Sequence, residues 1–393
     1  MDFDFSWLLA LPLFFGLGWW AARHERRRDE RDPQLPAAYF RGLNFLLNEQ
    51  PDQAIDAFID VVRLDPETVD LHFALGNLFR RRGETDRAIR VHQSLVDRTD
   101  LPARQRERAL FELGQDFLKA GLLDRAEAVF AGLRDGTYAA QALNARLEIA
   151  QMVRDWPQAI ELSAQARQVS ALQTAEPVAH FYCELAESSM TASAGPDRIA
   201  QAGSQLDAAA QVAPGHPRIA MLRARMALTA SHTEQAIELW STLFRTQPAF
   251  VSLIADDWMQ AHRALGRASE GLTALEAVYG EHPSIDLFCA LVSARLDRDG
   301  SAATLAWAHQ ALRDVPSLVG LERLLELRAL EADTTAREEL QLIGHLVHAQ
   351  AQRLSRRICR HCGFKARQHY WQCPGCNRWD TYSPQRLEDL GRV

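Results

Sequence analysis

The hydrophobic pattern divides the chain into one uncharged run and a long series of helical faces. From Phe5 to Ala22 it reads FSWLLALPLFFGLGWWAA, 18 residues without a charge. As a helix rising 1.5 Å per residue this run spans about 27 Å, close to the hydrocarbon thickness of a bilayer, and predicts a transmembrane anchor over 1–22. Trp7, Trp19 and Trp20 sit near its two ends, where aromatic side chains favour the membrane interface. Beyond it a period of 34 residues is readable. Gly42, Ala54, Phe58 and Pro66 shift by 34 onto Gly76, Ala88 and His92, and a further 38 gives Gly114, Ala126 and Phe130. The tripeptides at Asp52, Asp86 and Asp124 keep the same register. Ala202, Leu206 and Pro214 map by 34 onto Ala236, Trp240 and Pro248, and Pro283 and Pro316 continue the series. A weaker unit has Ala159 in the small position and Ser163 in the bulky one.

This is the tetratricopeptide pattern. A small residue lets two antiparallel helices approach, a bulky one fills the gap and proline ends the unit. Each pair leaves an apolar face that only the next pair covers, so the pattern predicts an all-α tetratricopeptide-repeat superhelix. The array occupies 37–330, after a basic juxtamembrane linker over 23–36. Leu340, Ile343, Leu346, Val347 and Leu354 keep helical spacing and predict a closing helix over 331–357.

Charge sets the orientation. Asp2 and Asp4 precede the uncharged run, whereas Arg23, Arg26, Arg27, Arg28 and Arg31 follow it. A cleaved leader has the reverse order, so the run reads as a retained anchor with the N-terminus periplasmic and the bulk of the chain cytoplasmic. The net charge of −7 argues against nucleic acid as a partner. No metalloprotease helix motif, nucleophile elbow or phosphate loop is present, and the only Gly-x-Gly, at Gly16 and Gly18, lies in the membrane run. The expectation is a protein that is not an enzyme. Arg80, Arg81 and Arg82 read as a solvated helix end or as a contact for an acidic partner.

Of six cysteines, Cys183 and Cys289 stand alone in helical pattern and read as buried apolar groups. The other four, Cys359, Cys362, Cys373 and Cys376, form two C-x2-C knuckles ten residues apart. Paired knuckles bring four thiolates onto one tetrahedral ion, which makes 358–382 a metal-binding module and 383–393 a tail. Sulfur spacing does not separate iron from zinc. The turns at Cys362-Gly363-Phe364 and Cys373-Pro374 look like rubredoxin, which implies iron; zinc ribbons present much the same string. Because only Ser355 to Ile358 lie between Leu354 and the first knuckle, and Tyr370, Trp371, Trp379 and Tyr382 exceed what so small a module can bury, the module is expected to dock on repeat helices through Trp371 or Trp379. His180 and Tyr182 on the array, together with Trp371 and Trp379, are the candidate partner-contacting residues, with ordinary repeat core as the other reading of the first two.

With anchor, repeats and knuckles in place, the chain resembles the lipopolysaccharide assembly protein B (LapB, also YciM) family of Gram-negative bacteria from end to end. The resemblance rests on Leu75-Gly76-Asn77-Leu78-Phe79-Arg80, Asp86-Arg87-Ala88-Ile89-Arg90, Ala179-His180-Phe181-Tyr182-Cys183-Glu184-Leu185-Ala186 and Tyr370-Trp371-Gln372-Cys373-Pro374. It implies an inner-membrane adaptor that acts with the FtsH protease to control the lipid A deacetylase LpxC, alongside other lipopolysaccharide assembly proteins. It leaves a homo-oligomer open. An electron-transfer protein built on the four cysteines and a nucleic-acid-binding ribbon are the competing readings. Ala194-Gly195-Pro196 looks like a short insertion before the Ala202 unit.

Overall fold

A computed structural model of the chain describes residues 19–20, 37–48, 50, 53–57, 59, 69–169, 176–191 and 196–390. The anchor over 1–22 and the linker over 23–36 therefore lie outside the described residues, Trp19 and Trp20 excepted, as do Phe58, Pro66 and the first two residues of the insertion. Among the described residues no helix is long and apolar enough to cross a membrane.

The array read as continuous over 37–330 is divided between two compact units, Met1–Ile149 and Ala150–Val393. In the first, α1 (Ala37–Leu47) precedes the pairs α2 (Val69–Arg82) with α3 (Thr85–Val96) and α4 (Ala103–Lys119) with α5 (Leu123–Ala131), and α6 (Ala139–Met152) runs to the boundary. The repeat positions explain the pairing. A Cβ on Gly76 would stand 2.5 Å from the His92 ring and one on Gly114 2.6 Å from Phe130, so the small residue on one helix exists to receive the bulky one on the next. Ala88 and Ala126, four residues before those rings, are fully buried. Burying an apolar side chain such as Phe130 contributes about 1.5–3 kcal/mol. The turns between the paired helices run through Gly83 and Gly121, at φ 80° and 76°, where a side chain would be strained.

Arg80 is neither a solvated end nor a free contact. Its guanidinium reaches Glu112 at 2.6 Å and the buried Asp116 at 2.8 Å, and the other Asp116 oxygen is 2.5 Å from His92 Nδ1. Arg82 pairs with Glu84 at 3.2 Å.

The second unit continues with α7 (Trp156–Val169), α8 (Glu176–Thr191), α9 (Pro196–Val212), α10 (Pro217–Thr229) and α11 (Thr233–Thr246). A 3-10 turn at Pro248–Leu253 leads into α12 (Ala255–Ala264), α13 (Ala268–Glu281), α14 (Ile285–Asp314, broken at Gly300), α15 (Leu318–Glu331) and α16 (Thr334–Leu354). Ala159, Ala202 and Ala236 are fully buried, with Leu206 and Trp240 in the bulky position. The closing helix forms, but only part of its apolar pattern turns inward. Leu340 and Val347 are half-buried and Ala351 is buried, while Ile343, Leu346 and Leu354 are exposed.

The module that follows holds only two residues per strand: β1 (Arg357–Ile358) pairs antiparallel with β2 (Lys365–Ala366). The expected tail is instead a strap. Its single turn α17 (Leu387–Leu390) caps two repeat helices, Asp389 accepting from the Ile285 amide at 3.1 Å and Glu388 from the Leu318 amide and, at 2.8 Å, the Ser317 hydroxyl. Carboxylates at helix N-termini satisfy free amides and meet the positive end of the dipole. Arg357 and Arg386 clamp the same place through Asp286, at 2.7 and 2.6 Å.

Candidate metal centre and the dock it builds

Each knuckle is a tight turn that aims backbone amides at sulfur: the Cys362 amide lies 3.5 Å from Cys359 Sγ and the Gly375 amide 3.4 Å from Cys373 Sγ. Gly363 takes φ 76°, closing the first turn. The four Sγ atoms lie within 4.8 Å of one another, with Cys359 to Cys376 at 3.8 Å and Cys362 to Cys373 at 3.6 Å. A tetrahedral ion with metal–sulfur bonds of about 2.3 Å needs edges of about 3.8 Å, so the donor set fits one. Cys359 and Cys373 are buried, Cys376 half-buried and Cys362 exposed. Four sulfurs this close do not share charge easily. Burial pushes the Cys376 thiol up to about 12; at Cys359 burial acts the same way, but hydrogen bonds from Thr381 and the Cys362 and His361 backbone outweigh it and bring the thiol down to about 6. A bound dication would hold all four as thiolates and complete the module's core, and with its sphere closed it offers substrate no open position.

The second knuckle opens a hairpin pinned by the Gln372–Trp379 bridge and the Asp380 amide on Trp371 oxygen at 2.9 Å. It carries Trp371, Trp379 and Asp380 into the repeat helices. Trp379 stacks on His180 at 4.6 Å between ring centres, meets Trp156 and Phe181 edge-on, and donates from Nε1 to Gln151 at 2.9 Å. Trp371 lies flat on Phe250 at 5.7 Å and tilts against His216. Docking is thus as expected, and it uses both tryptophans. Tyr182 is half-buried against the cluster of Ala179, Cys183 and Leu206. Of the four residues singled out for partner contact, three therefore meet each other inside the molecule and the fourth packs beside the repeat core.

The polar half of the dock was not visible in the sequence. His180 Nε2 lies 2.8 Å from Asp380, and its Nδ1 lies 3.2 Å from the Arg218 guanidinium, which also binds Glu184 at 2.7 Å and Glu187 at 2.6 Å. Arginine only donates, so Nδ1 must accept and Nε2 must carry the proton to Asp380. Burial pushes His180 down to about 4, which keeps it neutral in this role. Burial raises Asp380, but hydrogen bonds from His180 and His216 prevail and hold it well below the usual carboxylate range. His180, His216 and Asp380 also lie close enough to hold an ion. The Arg218 bond argues against that use, since a metal on Nε2 would leave the ring with no proton at all. No repeat offset links Asp380 to His180; the nearest signal is the aromatic cluster around it.

Cys183 and Cys289 behave as inert groups, burial pushing their thiols up to about 12 and about 11.

A zinc-ribbon profile described as rubredoxin metal binding domain matches residues 358–384, and a tetratricopeptide repeat profile matches 41–100. Lipopolysaccharide assembly protein B of Escherichia coli K12 is 32% identical over 382 residues, covering 96% of this chain and 97% of its own. The chain belongs to the lipopolysaccharide assembly protein B family. The Haemophilus influenzae Rd member is 27% identical over 388 residues, again across 96% of this chain and 97% of its own. The family assignment supports a tetrahedral cysteine metal site of zinc-ribbon type; iron, expected from the likeness to rubredoxin, gains no support from it.

Proposed function

We propose that the chain is a membrane-anchored, non-catalytic adaptor of lipopolysaccharide assembly that lowers the amount of LpxC by bringing it to the FtsH protease. One observation carries the adaptor reading: the four-sulfur centre is closed, and its hairpin is used to hold repeat helices rather than to line a reactive cleft. What such a molecule offers is surface, and stacked helix pairs offer an extended one. The name of the relatives supports the process, and the resemblance supports the two partners. The uncharged run followed by five arginines supports an inner-membrane anchor with the repeats in the cytoplasm, which would concentrate the adaptor beside a membrane protease.

Zinc is the proposed ion, since a structural role asks nothing of its redox state. Metal analysis of the purified full chain should return one zinc per chain. Stoichiometric iron with thiolate-to-iron absorption would favour the electron-transfer reading instead. For the function, LpxC half-life is followed in cells carrying the wild-type chain, residues 23–393 alone, or Cys359→Ser. The wild type should shorten it in an FtsH-dependent way and the other two should not; a half-life indifferent to the wild-type chain sinks the proposal.

A further inference from the structure

The terminal helix of a stacked repeat array needs a polar outer face, because no further unit covers it. Helix α16 lacks one. Leu342, Ile343 and Leu346 are 63%, 47% and 68% exposed and lie outside the groove between α15 and α16, which Leu330, Leu340, Gln341 and Gly344 line. Along that outer face Thr335, Glu339, Leu342, Leu346, Ala349 and Arg353 follow one another at steps of four, three, four, three and four residues, the seam spacing of a helix that pairs with another helix. All six are exposed. The inward line of Ala336, Leu340, Gly344, Val347 and Ala351 is separate, so the outer seam is not left over from packing on α15.

We propose that this seam is a homodimer contact, in which α16 lies antiparallel against α16 of a second copy about a two-fold axis at Leu346. The seam's own charge pattern selects that occupant. With Leu346 opposite itself, residue n faces residue 692 − n: Glu339 meets Arg353, Arg353 meets Glu339, Leu342 meets Gln350 and Ile343 meets Ala349. Glu339 and Arg353 lie about 21 Å apart along the helix, and among the described residues neither has an ion-pair partner within 4.0 Å. An acid at one end, a base at the other and leucine at the centre make a surface complementary to itself, as two-fold contacts must be. Glu338 and Glu339 make the same face a poor match for an anionic lipid surface.

The test uses the full chain in mild detergent and in membranes. Leu346→Cys should give an oxidant-dependent covalent dimer, because the position faces itself across the axis, while Gln341→Cys, on the groove side of the same helix, should not. Sedimentation should show a wild-type dimer whose dissociation constant rises at least tenfold in Leu346→Glu and in Glu339→Arg, with Glu339→Arg plus Arg353→Glu restoring it. Helical signal and metal content are recorded for each variant, to separate loss of pairing from loss of fold. A monomeric wild type, a dimer indifferent to Leu346→Glu, or equal crosslinking at 341 and 346 overturns the proposal, a second protein on the seam included.

Discussion

Both compact units join a buried histidine, an aspartate and an arginine, but Asp116 stands between Arg80 and His92 in the first, whereas His180 stands between Asp380 and Arg218 in the second. In the first unit His92, Asp116 and Arg80 come from neighbouring repeats, 24 and 36 residues apart, and Asp116 is fully buried. In the second, His180 and Arg218 come from repeat helices, but the aspartate is Asp380, 200 residues away on a metal-bearing hairpin, with 38% of its side chain exposed. The first trio is repeat architecture with a polar residue in the bulky position. The second is a latch, made only when a separate module has folded and arrived.

Removing the metal should separate the two most sharply. Structural zinc contributes on the order of 10–16 kcal/mol in small zinc peptides, so chelation or Cys376→Ser should unfold 357–382 and release the strap. Amide exchange should then rise around Trp156, His180, His216 and Phe250 and stay unchanged over 69–131. Protection lost equally in both units would mean that they do not respond separately.

Losing the aspartates ranks next. Asp116→Ala leaves Arg80 and His92 without their shared carboxylate and should cost the first unit about 3–5 kcal/mol in denaturant unfolding. Asp380→Ala, in a partly solvated site, should cost roughly 1–3 kcal/mol, with most of the effect seen as undocking. The reverse order would show that the latch, not the repeat trio, is the tighter network.

Acid should open the latch. The folded pKa of His180 lies at about 4, below its ordinary 6.5, so its contribution is complete above about pH 6.5 and is lost as pH falls towards 4. The depressed Asp380 carboxyl acts in the same direction. A protonated ring would turn an N–H towards Arg218, donor against donor. The slope is at most about 1.4 kcal/mol per pH unit for one proton, and tryptophan emission at Trp371 and Trp379 should shift to the red over that interval. Emission flat from pH 7 to 4.5 would contradict it.

The smallest effect tests the repeat logic itself. Gly76→Ala drives a methyl into His92 and should cost about 1–3 kcal/mol by overpacking. Gly114→Ala, against Phe130, should match it; a neutral result at both would mean that the helices separate freely.

How much of this was legible follows from sequence distance. Gly76 with His92 and Gly114 with Phe130 lie sixteen residues apart within one repeat, so their pairing recurs and can be read as a period. Cys359 with Cys362 and Cys373 with Cys376 announce themselves by spacing, because a turn around an ion admits few geometries. Arg80 misled because its partners lie in the next repeat but are not at repeat positions.

The helical array, its small and bulky positions, the four sulfur donors and the surplus of tryptophan are all written in the residues themselves. These are local properties, set by helical period, turn geometry and the chemistry of a thiolate. Where the hairpin lands, that Asp380 faces His180, that Glu388 and Asp389 cap helices at Leu318 and Ile285, and that Leu342 and Leu346 look outward were settled by how the elements pack. Those outcomes depend on which distant surfaces meet as repeats stack, and a contact across 200 residues leaves no periodic trace in the chain.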